Sequence, residues 1–194
     1  LSNTPEFKRG IMKNLFSVEG KVAIVTGGSR GIGEMIAAGY LANGAKVYIS
    51  SRKADACIAT AARLVDEFGG ECIPISADLS NLDGINNFVQ EFSKHETSLD
   101  ILVNNAGVAW GAPLEEFPEL GWDKVMNTNV KGVFFLTQQL LQHLQENTTP
   151  ETPAHVINVG SVDGIKTPVF DNFSYGPSKA AVHHLTRVLA CLLY

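Results

Sequence analysis

The chain has 194 residues, 45% of them hydrophobic and 18% charged, with a net charge of −5, enough to build one globular domain around its own core. The acidic excess and the lack of any basic run give nucleic acid no electrostatic footprint, and no stretch reaches the roughly 18 apolar residues of a membrane span. Three scattered cysteines, Cys57, Cys72 and Cys191, read as small apolar residues of a reducing, cytoplasmic compartment, and the five histidines show no metal-ligand spacing.

In chain order, residues 1–14 read as an N-terminal extension: LSNTPEFKRGI lacks the apolar core of a signal peptide, and Met12 makes a natural start. A single domain is expected over residues 15–194. KVAIVTGG (21–28) is a short β-branched run ending in glycines, which predicts a buried strand. Residues 31–42 are alanine-rich and helical, closed by Gly44. AKVYISS (45–51) predicts a second strand, and residues 54–68 a helix stopped by Gly69 and Gly70. ECIPISA (71–77) predicts a third strand, weakened by Pro74, which cannot donate to a ladder. A helix over 81–95 leads to a fourth strand in LDILVNNAG (99–107). One long helix is expected over 120–145, a polar loop over 148–153, a fifth strand in HVINVGS (155–161), and a last helix starting near Gly176.

Alternation of strand and helix predicts right-handed βαβ units and a parallel sheet covered on both faces. The fold class is α/β, a doubly wound, Rossmann-like parallel sheet. Such a sheet orders its strands 3-2-1-4-5-6; five strands are found before Tyr194, so the C-terminal strands are missing from the chain as given.

TGGSRGIG (26–33) lies between the first strand and the first helix. Gly27, Gly31 and Gly33 let the backbone turn tightly and approach a pyrophosphate, and the helix N-terminus then offers free N–H groups. The spacing is G-x-x-x-G-x-G rather than the G-x-G-x-x-G fingerprint. An acid at the end of the second strand would favour NAD; here Ser51-Arg52-Lys53 stands there and Arg30 lies in the glycine loop, which favours the 2′-phosphate of NADP, the alternative being that Arg52 and Lys53 merely cap a solvated strand end. SYGPSKAA (174–181) puts Tyr175 and Lys179 at i, i+4, on one helix face, with Pro177 confined to the first turn.

TGGSRGIG, NNAG (104–107), Ser161 and Tyr175-x-x-x-Lys179, in that order over residues 15–194, resemble the short-chain dehydrogenase/reductase family. The resemblance implies a role for each matched position. Gly27, Ser29, Arg30, Gly31, Ile32 and Gly33 would hold the phosphates and ribose of NADP. Ser51 and Arg52 would meet the 2′-phosphate, and Asp78 and Leu79 the adenine. Asn105, Ala106 and Gly107 would border the adenosine ribose and the nicotinamide side. Asn129 would hold a water linked to Lys179, and Ser161, Tyr175 and Lys179 would form the catalytic centre. Read alone, Asp78 is also a turn-forming residue capping the next helix, and Asn129 a helix-interior polar residue.

The chemistry explains the Tyr-Lys pair. Reducing a carbonyl requires a hydride and a proton. A free tyrosine phenol has pKa about 10, too high for it to work as base in the reverse reaction near neutrality, and lowering it by about 3 units takes about 4 kcal/mol. A unit positive charge about 4 Å away, in an effective dielectric of about 20, supplies about that much. Ser161 would donate to the substrate oxygen as charge builds.

The activity implied is reduction of a small-molecule ketone, and GWDKVMNTNV and SYGPSKAAVHHLTRVLA are similar to the rhamnolipid-associated type of 3-oxoacyl-thioester reductase. A sugar or polyol ketone reductase and an NADP-binding module without turnover are the alternatives, and a fragment with an uncovered sheet edge is a third. Trp110, Phe170 and Phe173 are candidates to line an apolar pocket. Asp163 departs from the family, where a small apolar residue is usual. The resemblance also implies a homo-oligomer, dimer or tetramer, through the helices over 120–145 and 176–193, and places a segment closing over the substrate beyond Tyr194.

Overall fold

The computed structural model describes residues 16–167 and 170–192; the expected extension over 1–14 lies outside them, as do Leu193 and Tyr194. Strands β1 (Val22–Thr26), β2 (Lys46–Ser51), β3 (Cys72–Ser76), β4 (Ile101–Asn104) and β5 (His155–Asn158) form one sheet in the order β3-β2-β1-β4-β5. All four neighbouring pairs are parallel. This is the doubly wound, Rossmann-like α/β fold.

Side chains alternate across the sheet, as a period of two requires. Ala23, Val25, Val47, Ile49 and Val103 point to one face, where Ala37 and Leu41 of α1 (Gly31–Ala42) and Cys57, Ala61 and Leu64 of α2 (Ala54–Phe68) cover them. Ile24, Tyr48, Ile75 and Leu102 point to the other, against Ile85, Phe88 and Phe92 of α3 (Leu82–Ser93). With both faces covered, β1 has no polar side: Ala23, Ile24 and Val25 are all fully buried. Pro74 pairs opposite Ile49 and is tolerated because β3 is an edge strand among the described residues, with no further ladder there to feed.

The expected long helix over 120–145 is not continuous. It is α4 (Glu119–Met126), a π turn (Asn127–Lys131), α5 (Gly132–Gln139) and α6 (Leu141–Gln145). The π turn widens the helix by one residue and turns Asn129 toward a distant loop. Leu140, with φ −90° and ψ 1°, then ends α5. Strand β4 is shorter than expected because the N–H groups of Asn105 and Ala106 leave the sheet for Thr26 Oγ1, at 3.0 and 2.9 Å. Helix α7 (Tyr175–Leu192) starts one residue before Gly176, with Pro177 in its first turn.

The chain crosses from β1 to β2 on one side and enters β4 on the other. The loops after β1 and β4 therefore diverge, and a crevice opens between them at the C-terminal ends of the strands, the usual ligand position of such sheets.

Candidate active site

The crevice is a cleft of about 410 Å³. Gly27, Ser29, Arg30, Gly31, Ile32 and Gly33 line it from the glycine loop, and Ser51 and Arg52 from the end of β2. Asp78 and Leu79 line it after β3, and Asn105, Ala106 and Gly107 after β4. Ser50, Ala77, Val108 and Thr128 complete the lining and were not foreseen. Gly27 has φ +66°, and a Cβ there would stand 3.0 Å from Ala106 Cα. A Cβ on Gly33 would collide with the Gly27 carbonyl and the Asn105 amide. The loop is thus held in a shape that side chains would fill. Arg30, at the N-cap of α1, caps no N–H with its side chain, which leaves the first-turn N–H groups to an anion.

Three side chains hold this loop in place. Thr26 Oγ1 accepts the N–H groups of Asn105 and Ala106 and donates to Val103 O at 3.3 Å. Asn105 Nδ2 donates to Thr26 O at 2.9 Å, pinning the NNAG segment to the end of β1. Thr60 Oγ1, from α2, donates to Ser29 O at 3.0 Å. Thr26 and Thr60 were missed at the sequence level; a buried hydroxyl needs a partner, but the partner is named only by the fold. Asp78 Oδ1 accepts from Ser80 N at 3.1 Å and Ser80 Oγ at 2.8 Å, a local turn at the cleft rim, while Asn81 caps α3 through Gly84 N at 2.8 Å. Of the alternative reading of Asp78, the turn is present but the cap of that helix is Asn81, which sits at the N-cap position.

Tyr175 and Lys179 meet as the i, i+4 spacing predicts: Lys179 Nζ lies 5.7 Å from the centroid of the Tyr175 ring. Lys179 is buried, 5% exposed, and donates to Val159 O at 2.7 Å. That burial lowers its pKa from the ordinary lysine value, since desolvation disfavours the ammonium. Gly107 joins this pair to the cleft. A Cβ on Gly107 would lie 3.5 Å from Asn129 Oδ1 and 3.6 Å from Lys179 Nζ.

Asn129 is buried and holds its surroundings at three points. Its Oδ1 accepts Val108 N–H at 2.9 Å, and its Nδ2 donates to Val108 O at 2.9 Å and Ser178 Oγ at 3.0 Å. Ser178 Oγ donates in turn to Tyr175 O at 2.7 Å. The π turn thereby fastens the loop after NNAG to the first turn of α7. Asn129 Oδ1 keeps acceptor capacity on the side of Gly107 and Lys179.

Ser161 follows β5 and caps a short 3₁₀ turn, Val162–Gly164: its Oγ accepts Asp163 N–H at 3.2 Å. With that acceptor position filled, the hydroxyl hydrogen remains to donate. The turn lies against α7, where a Cβ on Gly164 would stand 2.7 Å from the Lys179 carbonyl carbon. Asp163 contributes its backbone to this arrangement. Trp110 packs on Gly121 of α4, with Lys124 Nζ 5.2 Å from its ring. Phe173 makes an edge-to-face pair with Phe117 at 5.7 Å, and Phe170 is exposed. Among the described residues no group of three or more His, Cys, Asp or Glu could hold a metal ion.

The comparisons with known proteins agree with this geometry. A family model described as short chain dehydrogenase matches residues 21–194. The chain is 51% identical over 179 residues to the rhamnolipids biosynthesis 3-oxoacyl-[acyl-carrier-protein] reductase of Pseudomonas aeruginosa, covering 92% of this chain and 69% of that protein. It is 34% identical to gluconate 5-dehydrogenase of Gluconobacter oxydans, covering 91% of this chain and 67% of that one. Among solved structures, the Pseudomonas aeruginosa RhlG/NADP active-site complex superposes with a TM-score of 0.88 at 52% identity, over 92% of this chain and 69% of that chain. The chain belongs to the short-chain dehydrogenase family.

Proposed function

We propose that the chain reduces a ketone to a secondary alcohol with NADPH, and that the ketone is a 3-oxoacyl thioester. The observation that carries the reading is at Gly107, which lines the glycine-rich cleft and whose Cβ position lies 3.6 Å from Lys179 Nζ, the ammonium beside Tyr175. Arg30 and Arg52 support NADP over NAD, since both are exposed at the cleft and β2 ends without an acid. In this reading the glycine loop holds the phosphates, Arg52 the 2′-phosphate, Asp78 and Leu79 the adenine, and Asn105 to Gly107 the ribose side.

Held in this cleft, NADPH would supply the hydride that reduces the carbonyl carbon. Tyr175 Oη gives its proton to the carbonyl oxygen, and the Ser161 hydroxyl donates a hydrogen bond to the same atom as negative charge grows. The Lys179 ammonium favours the phenolate that Tyr175 becomes, and protons return along Lys179 and a water held near Asn129 Oδ1. Leu114, Val162, Ile165, Phe170 and Phe173 are large apolar residues left exposed on the segments around Tyr175, which suits an acyl chain better than a polyhydroxy ketone. The name of the Pseudomonas aeruginosa relative points the same way. The proposed setting is the cytoplasm, and the proposed assembly a homo-oligomer, dimer or tetramer, through exposed Leu120 and Trp122 of α4 and Val188 of α7.

The test is steady-state oxidation of NADPH, with NADH as control, against a 3-oxoacyl thioester and a panel of sugar and polyol ketones. Thioester turnover with NADPH that falls at least about a thousandfold in Tyr175→Phe, with NADPH affinity retained, is the expected outcome. Preference for a sugar ketone would replace the substrate assignment. NADPH binding without turnover of any ketone would make the chain a binding module.

A further inference from the structure

His183 follows Lys179 by one helical turn on α7, so the two share a face. Its ring is lodged in the segment that carries Ser161. Nε2 accepts the Ser161 backbone N–H at 3.4 Å. A Cβ on Gly160 would collide with Nε2, and a Cβ on Gly164 would lie 2.9 Å from Cε1. The ring occupies a slot that exists because both glycines lack side chains. Ser161 has already left β5, which ends at Asn158, so its N–H has no place in the ladder. A half-buried N–H without an acceptor is costly.

We infer that His183 is a positioning residue for the reaction. It takes the Ser161 N–H onto the same helix that carries Tyr175 and Lys179, and so sets where the Ser161 hydroxyl stands relative to both. Asp163 N–H fixes the rotation of that hydroxyl; the imidazole fixes the backbone beneath it. Only a ring with Nε2 unprotonated can accept here, which calls for the neutral tautomer with its proton on Nδ1. The inference rests on the carbonyl-reduction reading.

Two variants of the full-length protein separate acceptor from filler. His183→Leu fills the slot without an acceptor, and His183→Gln returns an amide oxygen near the Nε2 position. His183→Leu is expected to lower kcat about tenfold while leaving the NADPH affinity within about twofold, and His183→Gln to recover most of the lost rate. A leucine variant with wild-type kcat overturns the inference, as does an equal loss in both variants. Nitrogen NMR of the wild-type imidazole tests it without a substitution, even where a variant does not fold. A bare Nε2 is expected; a proton on Nε2 overturns the inference. A wild type that binds NADPH but reduces no ketone sinks the reductase reading instead, and the tautomer then decides separately whether His183 holds Ser161.

Discussion

Lys179 shows how a single residue can carry two opposed demands. In the proposed reaction its ammonium serves Tyr175, yet 5% exposure makes that charge costly, and its pKa falls below the usual 10.5. Below the lowered value the folded protein holds a buried ammonium that the unfolded chain would keep in water. As pH rises from the folded pKa toward 10.5, the folded form gives up its proton while the unfolded chain still holds one, so this contribution to stability improves with pH across that window. Lys179→Met should remove this term: urea midpoints measured across the alkaline range should rise less steeply with pH than those of the wild type, and turnover should be lost. The thiols of buried Cys57 and half-buried Cys72 show the inert counterpart. Burial pushes Cys72 up to about 12 and raises Cys57, so both stay neutral packing groups.

Among the elements, the π turn and the glycine loop do the positioning. Asn129 reaches Val108 and Ser178 only because an extra residue at Asn127–Lys131 redirects it. Asn129→Leu would leave the Val108 N–H and C=O without their partners inside the structure. A loss of about 2–4 kcal/mol in chemical denaturation is the expected result, at about 1–3 kcal/mol for each orphaned group, discounted for relaxation. In the glycine loop, Gly33→Ala should be felt mainly in the cofactor, because the added methyl meets the Gly27 carbonyl and the Asn105 amide. NADPH affinity measured by fluorescence titration should drop at least about tenfold, since a shift of a few tenths of an ångström in the loop misaligns several phosphate contacts together. The helices themselves were legible: Ala37 and Leu41, or Ile85, Phe88 and Phe92, repeat at helical spacing. The π turn was not, because the contacts Asn129 makes from it are to Val108, some twenty residues earlier, and to Ser178, far later in the chain.

At the scale of the whole molecule, the order β3-β2-β1-β4-β5 puts β1 at the centre between β2 and β4 and leaves β3 and β5 as edges among the described residues. Amide hydrogen exchange should follow that order, slowest at Ile24, Val25 and Leu102, and fastest among strands at Cys72–Ser76 and His155–Asn158. Added NADPH at about 100 times its Kd should stabilise the fold by about 2.7 kcal/mol. It should slow exchange first at the glycine loop and at Asn105 to Val108. Uniform protection of the edges instead would argue that the ligand binds elsewhere.

The strand-helix alternation, the glycine turn after β1, the Arg52 signal at the end of β2 and the Tyr175–Lys179 spacing are local patterns, and local backbone geometry is enough to read them. They settle the class of fold and single out Tyr175 and Lys179 as the candidate pair. The partners of Thr26, Asn129, Lys179 and Ser161 are separated from them in sequence by up to about eighty residues, and only the closing of the sheet brings them within 3.5 Å. Hydrogen bonds between distant segments depend on where the fold places two chains at once, so they leave no periodic trace in either one.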